Sequence, residues 1–203
     1  MSIELIESDD IILKKIHTAY ASAVDKYLVK SSNRIINNLK PVLIRAIQSS
    51  PEMSSVTSGI LRADFGLTSN PAFEIASAVA ETITIQNKKT KVQGKNIKGG
   101  LILNAQPSDY SNLFGLPSAR QQIIGGSLPW LEWLLTLGDS VIIANYTVEY
   151  GPYGRTGKAR MTESGRPFKV DSAYSGSSRD NFITRAIERN KSLVINAIIK
   201  GLE

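Results

Sequence analysis

The chain has 203 residues, 42% of them hydrophobic and 21% charged, which suits one globular domain and argues against disorder. With no cysteine and a single histidine, His17, it excludes a disulfide framework, a thiolate metal site and a cysteine nucleophile. Twenty-four basic residues against 18 acidic ones give a net charge of +6, so charge becomes the most informative feature of the composition.

The start, Met1-Ser2-Ile3-Glu4 followed by Glu7, Asp9 and Asp10, lacks the basic and then apolar pattern of a secretory signal, and a cytoplasmic origin is expected. From about Asp9 to Leu28, the residues Ile12, Ile16, Ala19, Tyr20, Ala23, Val24 and Tyr27 recur at three- and four-residue steps, predicting a helix with one apolar face. Asp9 or Asp10 is expected to cap it, with Lys14, Lys15, Lys26 and Lys30 outside. After Ser31-Ser32-Asn33 a second periodic stretch carries Ile35, Ile36, Leu39, Val42, Leu43 and Ile47. Pro41 lacks a backbone donor and should kink or restart the helix, giving a long, bent helical entry.

Residues 49–70 turn to Ser, Thr, Pro and Gly and read as a loop with a short helix. Asn70-Pro71 then marks a cap and first turn, opening a helix to about Ala80. Alternation at Thr82-Ile83-Thr84-Ile85, resumed at Leu101-Ile102-Leu103, predicts a β-hairpin over about 81–106 whose Lys-rich tip projects. Ser127-Leu128-Pro129 starts an apolar helix, Trp130 to Leu137, stopped by Gly138. Val141 to Tyr150 is rich in β-branched and aromatic residues, and a turn with Gly151, Gly154 and Gly157 leads to a partner strand around Lys158 to Thr162. A last helix runs from Asp180 to about Lys200, with Ile183, Ala186, Ile187, Val194, Ala197 and Ile198 on one face and Arg185, Arg189 and Lys191 off it. The expected class is a single α+β domain: a long N-terminal helix, an antiparallel sheet built from hairpins, and a C-terminal helix packed on the sheet.

Catalytic chemistry finds little support in these residues. His17 would need its partners delivered from elsewhere in the fold, and no G-x-S-x-G elbow accompanies it. The glycines of 94–100 lack the Lys and Ser/Thr of a phosphate loop and sit in a hairpin. Glu132, between Trp130 and Trp133, reads as an acid on the wet side of its helix rather than a buried one. No enzyme, cofactor or metal site is expected. Charge is the stronger signal, because 81–109 has no acid between Glu81 and Asp109 but carries Lys88, Lys89, Lys91, Lys95 and Lys98. A second basic segment holds Arg155, Lys158, Arg160, Arg166 and Lys169, with Tyr150 and Tyr153 beside it. Cations beside aromatics grip phosphates and stack bases, yet lysines also guard hairpin edges and dock on acidic proteins. A protein partner is the favoured target, with passing DNA the second.

Three segments together resemble the tail-completion, or head–tail connector, proteins of tailed bacteriophages. They are Thr57-Ser58-Gly59-Ile60-Leu61-Arg62 after an N-terminal helix, Val148-Glu149-Tyr150-Gly151 before a glycine-rich turn, and Arg166-Pro167-Phe168 leading to Asp180-Asn181-Phe182-Ile183-Thr184-Arg185-Ala186. The stretch from Leu128 to Asp139 is similar to segments of contractile-tail virion proteins. The section from Lys88 to Ser127 is an elaboration on that compact pattern. The resemblance implies a small α+β subunit that assembles into a six- or twelve-fold ring in the virion neck, between the portal or its adaptor and the tail, with no catalytic residues. A tail terminator capping the tube is its nearest variant, and a DNA-binding protein using the basic hairpin is the alternative of another class.

Overall fold

The computed structural model describes residues 8–94, 96–123, 126–138, 140–142, 146–152, 159–163 and 168–203. The architecture is mixed α+β, with helices supplying the body and short antiparallel hairpins attached to it. Helix α1 spans Asp9–Gln48 and is about 60 Å long at 1.5 Å per residue. It is the long N-terminal helix expected, and it runs through both Ser31-Ser32-Asn33 and Pro41 without restarting. Ser31 is buried within it and Ser32 Oγ donates to Leu28 O at 3.0 Å, so the polar triplet is satisfied inside the turn rather than breaking it. Pro41 also sits in its interior, on an exposed face, where its ring meets water and not the core.

Ser8, not Asp9 or Asp10, takes the N-cap position, and the two aspartates occupy the first turn, where negative charge favours the positive end of the helix dipole. The apolar face expected from Ile12 to Tyr27 is not a core face. Ile16, Ala19, Tyr20, Ala23 and Tyr27 are exposed, and burial along α1 becomes regular only from Ser31 onward, through Ile35, Leu39, Leu43, Ala46 and Ile47.

The segment after α1 is more helical than its composition suggests. Helix α2 covers Pro51–Ser58, with the Ser50 side chain accepting from Met53 N at 3.2 Å and Pro51 in the first turn, a start signal that needs no apolar periodicity. Helix α3 covers Ile60–Asp64. Arg62 then closes the corner, donating to the carbonyls of Thr57 at 3.0 Å, Thr68 at 3.1 Å and Ser69 at 3.3 Å. Helix α4 spans Ala72–Glu81 with Pro71, not Asn70, at the N-cap position, one residue later than expected, while Asn70 Oδ1 accepts from Ala72 N at 3.1 Å just ahead of it.

Strands β1 (Thr84–Gln93) and β2 (Asn96–Asn104) form the long hairpin. Three elements follow that the sequence does not announce: α5 (Ser111–Phe114), a 3-10 turn over Pro117–Ala119, and a small hairpin of β3 (Gln121–Ile123) and β4 (Gly126–Leu128). Helix α6 spans Trp130–Thr136, and Gly138 beyond it has φ +54, the left-handed conformation that ends helices. Strands β5 (Tyr146–Tyr150) and β6 (Ala159–Glu163) pair antiparallel; of the predicted first strand, Val141 and Ile142 are not in a strand and 143–145 lie outside the described residues.

The final helix is two, α7 (Phe182–Arg189) and α8 (Lys191–Leu202), divided at Asn190. Asn181 caps α7: its Oδ1 accepts from Ile183 N at 3.0 Å and Thr184 N at 3.3 Å, while Thr184 Oγ1 accepts from Asn181 N at 2.9 Å. Its Nδ2 donates to the Tyr110 hydroxyl at 2.6 Å, which itself donates to Ser178 O at 2.8 Å.

The main core gathers α2, α3, α4, α6 and α7 around Phe65, Trp130, Trp133, Phe168 and Phe182. Phe65 stands 5.6 Å from the Trp130 ring and 6.5 Å, edge-on, from Phe168. A second cluster joins Ile35, Leu39 and Leu43 of α1 to Val194 and Ala197 of α8 and to Ile83, with Ile85, Leu101 and Leu103 of the hairpin base closing it. The α1–α8 approach is close because Gly201 lies on α1. A Cβ there would come within 2.6 Å of the Ile35 Cα.

Candidate interaction surface

The N-terminal half of α1 leaves the two cores behind, and the hairpin goes with it. The hairpin base sits beside Ile35 to Leu43, Thr90 binds Asp25, and Val92 and Gly94 line a shallow cleft with Leu13, His17 and Thr18. Strand β1 therefore runs antiparallel to α1 back toward its first turns. Helix and hairpin form one two-element arm.

A β-bulge fastens the arm. Lys88 pairs with Gly100 and Lys91 with Lys98, so Lys89 and Thr90 together oppose Gly99. Gly99 allows this, since a Cβ on it would fall 2.5 Å from the Thr90 Cα. The bulge turns Thr90 inward, where its N–H donates to the Asp25 carboxylate at 2.9 and 3.1 Å and its hydroxyl donates to the same group. The Thr90 hydroxyl, ahead of the opposing effect of partial burial, holds the Asp25 carboxyl below its ordinary value of 3.8, with the Thr90 amide and the Lys89 charge adding to it.

A carboxylate depressed in the fold contributes stability that is present above its ordinary value and lost as pH falls through the depressed one. The hairpin is thus expected to stay docked at neutral pH and to loosen below about pH 4. Asp25→Ala should loosen it at neutral pH and remove the acid-induced change, accelerating hydrogen exchange at Thr90 several-fold while amides of α6 keep their protection. Unchanged exchange at Thr90 would show that the hairpin is held by its base alone.

The candidate contact residues fall into two groups. Lys88, Lys89, Lys91 and Lys98 are exposed on the arm, and Lys95 lies outside the described residues. Of the second group, Tyr150 ends β5 and Arg160 lies in β6 one rung away, opposite Glu149. Tyr153, Arg155 and Lys158 are outside the described residues. The two basic segments belong to separate sheets.

Helix α1 adds what sequence reading left as an outer face. Over 9–30 and 84–104 the sequence holds nine lysines against three aspartates, the entire +6 of the chain, while the remainder carries fifteen residues of each sign. One of those aspartates, Asp25, is engaged by Thr90. The same arm exposes apolar side chains, Tyr20 at 61% and Ile16 at 55% among them.

His17 is half-buried at the arm cleft, and Glu132 is exposed. Among the described residues no three His, Asp or Glu side chains gather as a metal cage would need, and no helix is long and apolar enough to cross a membrane. The residues carrying the family resemblance hold joints of the fold: Arg62 at the α3 corner, Asn181 at the α7 cap, and Arg185, which reaches across to Glu52 at 3.0 Å. Comparison with protein-family models, with curated proteins and with solved structures returns no match to this chain.

Proposed function

We propose that the chain is a structural subunit of a tailed-phage virion, forming an oligomeric ring in the neck that completes the tail and joins it to the head. The observation that carries the reading is the arm, which holds the net charge of the whole chain and an exposed apolar stripe while contributing little to the cores. Surfaces of that kind serve contact with other chains, the apolar part supplying affinity and the charges choosing partner and register. The resemblance of the segments around Arg62, Glu149 and Asn181 to the connector proteins supplies the station. In this role the chain works by assembly in the virion, without a catalytic step, cofactor or membrane, among neck, portal-adaptor and tail neighbours.

The test is electron microscopy of particles from a phage lacking this reading frame. Packaged heads beside unattached tails of normal length are the expected result. Overlong tails would move the protein to the tube end as a terminator, and normal infectious virions would overturn the reading. A second reading is favoured by the concentration of charge alone: the arm grips DNA phosphates. It predicts affinity that falls steeply with salt, with a log–log slope lowered by about 0.9 for each phosphate contact removed, and loss of binding in Lys88→Glu/Lys89→Glu/Lys91→Glu.

A further inference from the structure

The exposed stripe of α1 has a register. Asp9, Leu13, Ile16, Tyr20, Ala23, Tyr27, Lys30 and Arg34 alternate steps of three and four, the spacing of the a and d positions of a heptad seam. All eight are exposed, Leu13 at 50% and Tyr27 at 47%. The hairpin binds an adjoining side of the helix through Asp25 and borders the seam only at Leu13, which shares the cleft with Val92 and Gly94 and is still half exposed, so about 38 Å of seam remains accessible. Its middle is apolar, its first position is acidic and its last two are basic.

We propose that this seam pairs with the same seam of a second copy, antiparallel, about a two-fold axis between Tyr20 and Ala23. Direction follows from charge. Side by side in parallel, Asp9 would face Asp9, Lys30 would face Lys30 and Arg34 would face Arg34. In the antiparallel arrangement Asp9 meets Arg34, Leu13 lies under the aliphatic stem of Lys30, Ile16 meets Tyr27, and Tyr20 meets Ala23, each layer occurring twice by symmetry. Small Ala23 opposite bulky Tyr20 lets the helices approach without a gap. No two like charges oppose each other along the seam. The contact does not depend on the virion reading, and it would join two copies wherever the chain acts.

The absence of cysteine makes the test direct. Full-length Ile16→Cys and Tyr27→Cys proteins are oxidised separately and mixed, and the mass of each is read by analytical ultracentrifugation alongside the unmodified chain. A dimeric unmodified chain and a disulfide formed only in the mixture are the expected results. Tyr20→Glu, exposed in the single chain, should abolish the dimer while leaving helix content unchanged. Arg34→Glu should weaken the dimer at least tenfold by facing Asp9, and adding Asp9→Lys should restore it.

Self-crosslinking of each single-cysteine protein would mean parallel pairing. A crosslink between the Ile16→Cys protein and an Ile195→Cys protein, altered at an exposed position of α8, would assign the seam to α8 of a neighbour. Either result, or a monomer at 100 µM on the order of the concentrations where weak interfaces fill, overturns the proposal.

Discussion

Arg185→Met is expected to cost about 3–5 kcal/mol of folding stability, the range for stripping a buried ion pair of one partner. Glu52 sits on α2 with its side chain 2% exposed, and Arg185 of α7 meets its Oε1 at 3.0 Å. Arg189 approaches Oε2 only to 3.8 Å, and that oxygen has no hydrogen bond. Removing the guanidinium leaves a carboxylate in the interior facing one distant cation. It also deprives the carbonyls of Tyr174 and Ser175 of their donors, at 3.2 to 3.3 Å.

Thermal unfolding followed by circular dichroism should show a drop in Tm on the order of 10 °C for a chain of this size. Glu52→Gln combined with Arg185→Met should recover part of it, because no unbalanced charge then remains inside. A single variant within about 1 kcal/mol of the parent would show that water already reaches Glu52.

Trp130→Ala is expected to cost a comparable amount, about 3–5 kcal/mol, through the cavity left when a large aromatic is deleted. Trp130 is fully buried, packs on Phe65 and donates from Nε1 to Ser118 O at 2.8 Å. Through Phe65, Trp133 and Phe168 the rings form a connected set with centroids 5.6 to 6.5 Å apart, so the hole opens where α3, α6 and the segment after β6 meet. Trp130→Phe keeps most of the volume but orphans the Ser118 carbonyl, and a loss of about 1–3 kcal/mol is expected there. Urea unfolding with a common slope for the three proteins measures both. Equal stability of the Ala and Phe variants would locate the contribution in the hydrogen bond rather than in packing.

The parts of this fold that are legible in the sequence are those whose cause is local. Trp130 to Thr136 with Gly138 behind it, Asn70 ahead of α4, and the apolar alternation at the hairpin base all carry their signals within a few residues. Helix α2 was legible in principle from Ser50-Pro51-Glu52, but its Ser and Thr content hides it from a search for apolar periodicity. The break at Asn190 is invisible to periodicity because Ile183, Ala186, Val194 and Ala197 keep the spacing of one helix across it. Pro41 misleads in the other direction, since losing one hydrogen bond near the end of a helix packed on α4 and α8 does not stop it. The strand over 86–93, built of Gln, Asn, Lys and Thr with Val92 its one aliphatic residue, has weak intrinsic β preference and owes its place to tertiary contact.

The arm was half legible. Its lysines stand out by count, whereas its clamp does not, because Asp25 and Thr90 are 65 residues apart. Nor does the inner ion pair, whose partners Glu52 and Arg185 are separated by 133 positions. Spacing rules speak only for neighbours in sequence, and both contacts are made by the packing of elements. The exposed stripe is a third kind of failure. Apolar periodicity reports that a helix face wants burial, and it does not say whether the same chain provides the cover.

The bulge in β1 also sets the parity of the strand. Before it, Ile83 and Ile85 turn toward the helix, and after it Thr90 and Val92 do, so inward positions change from odd to even across one extra residue. Lys88, Lys89 and Lys91 therefore all point to solvent, which an unbroken two-residue alternation would forbid. Deleting the single residue Lys89 would remove the bulge and leave Thr90 and Val92 facing the helix, because they would then continue the inward series of Ile83 and Ile85, and the solvent face would lose one of its lysines. The one-sidedness of the cationic surface is thus written in the length of the strand as much as in its composition, since the extra residue is what lets Lys88 and Lys89 stand side by side on the solvent face.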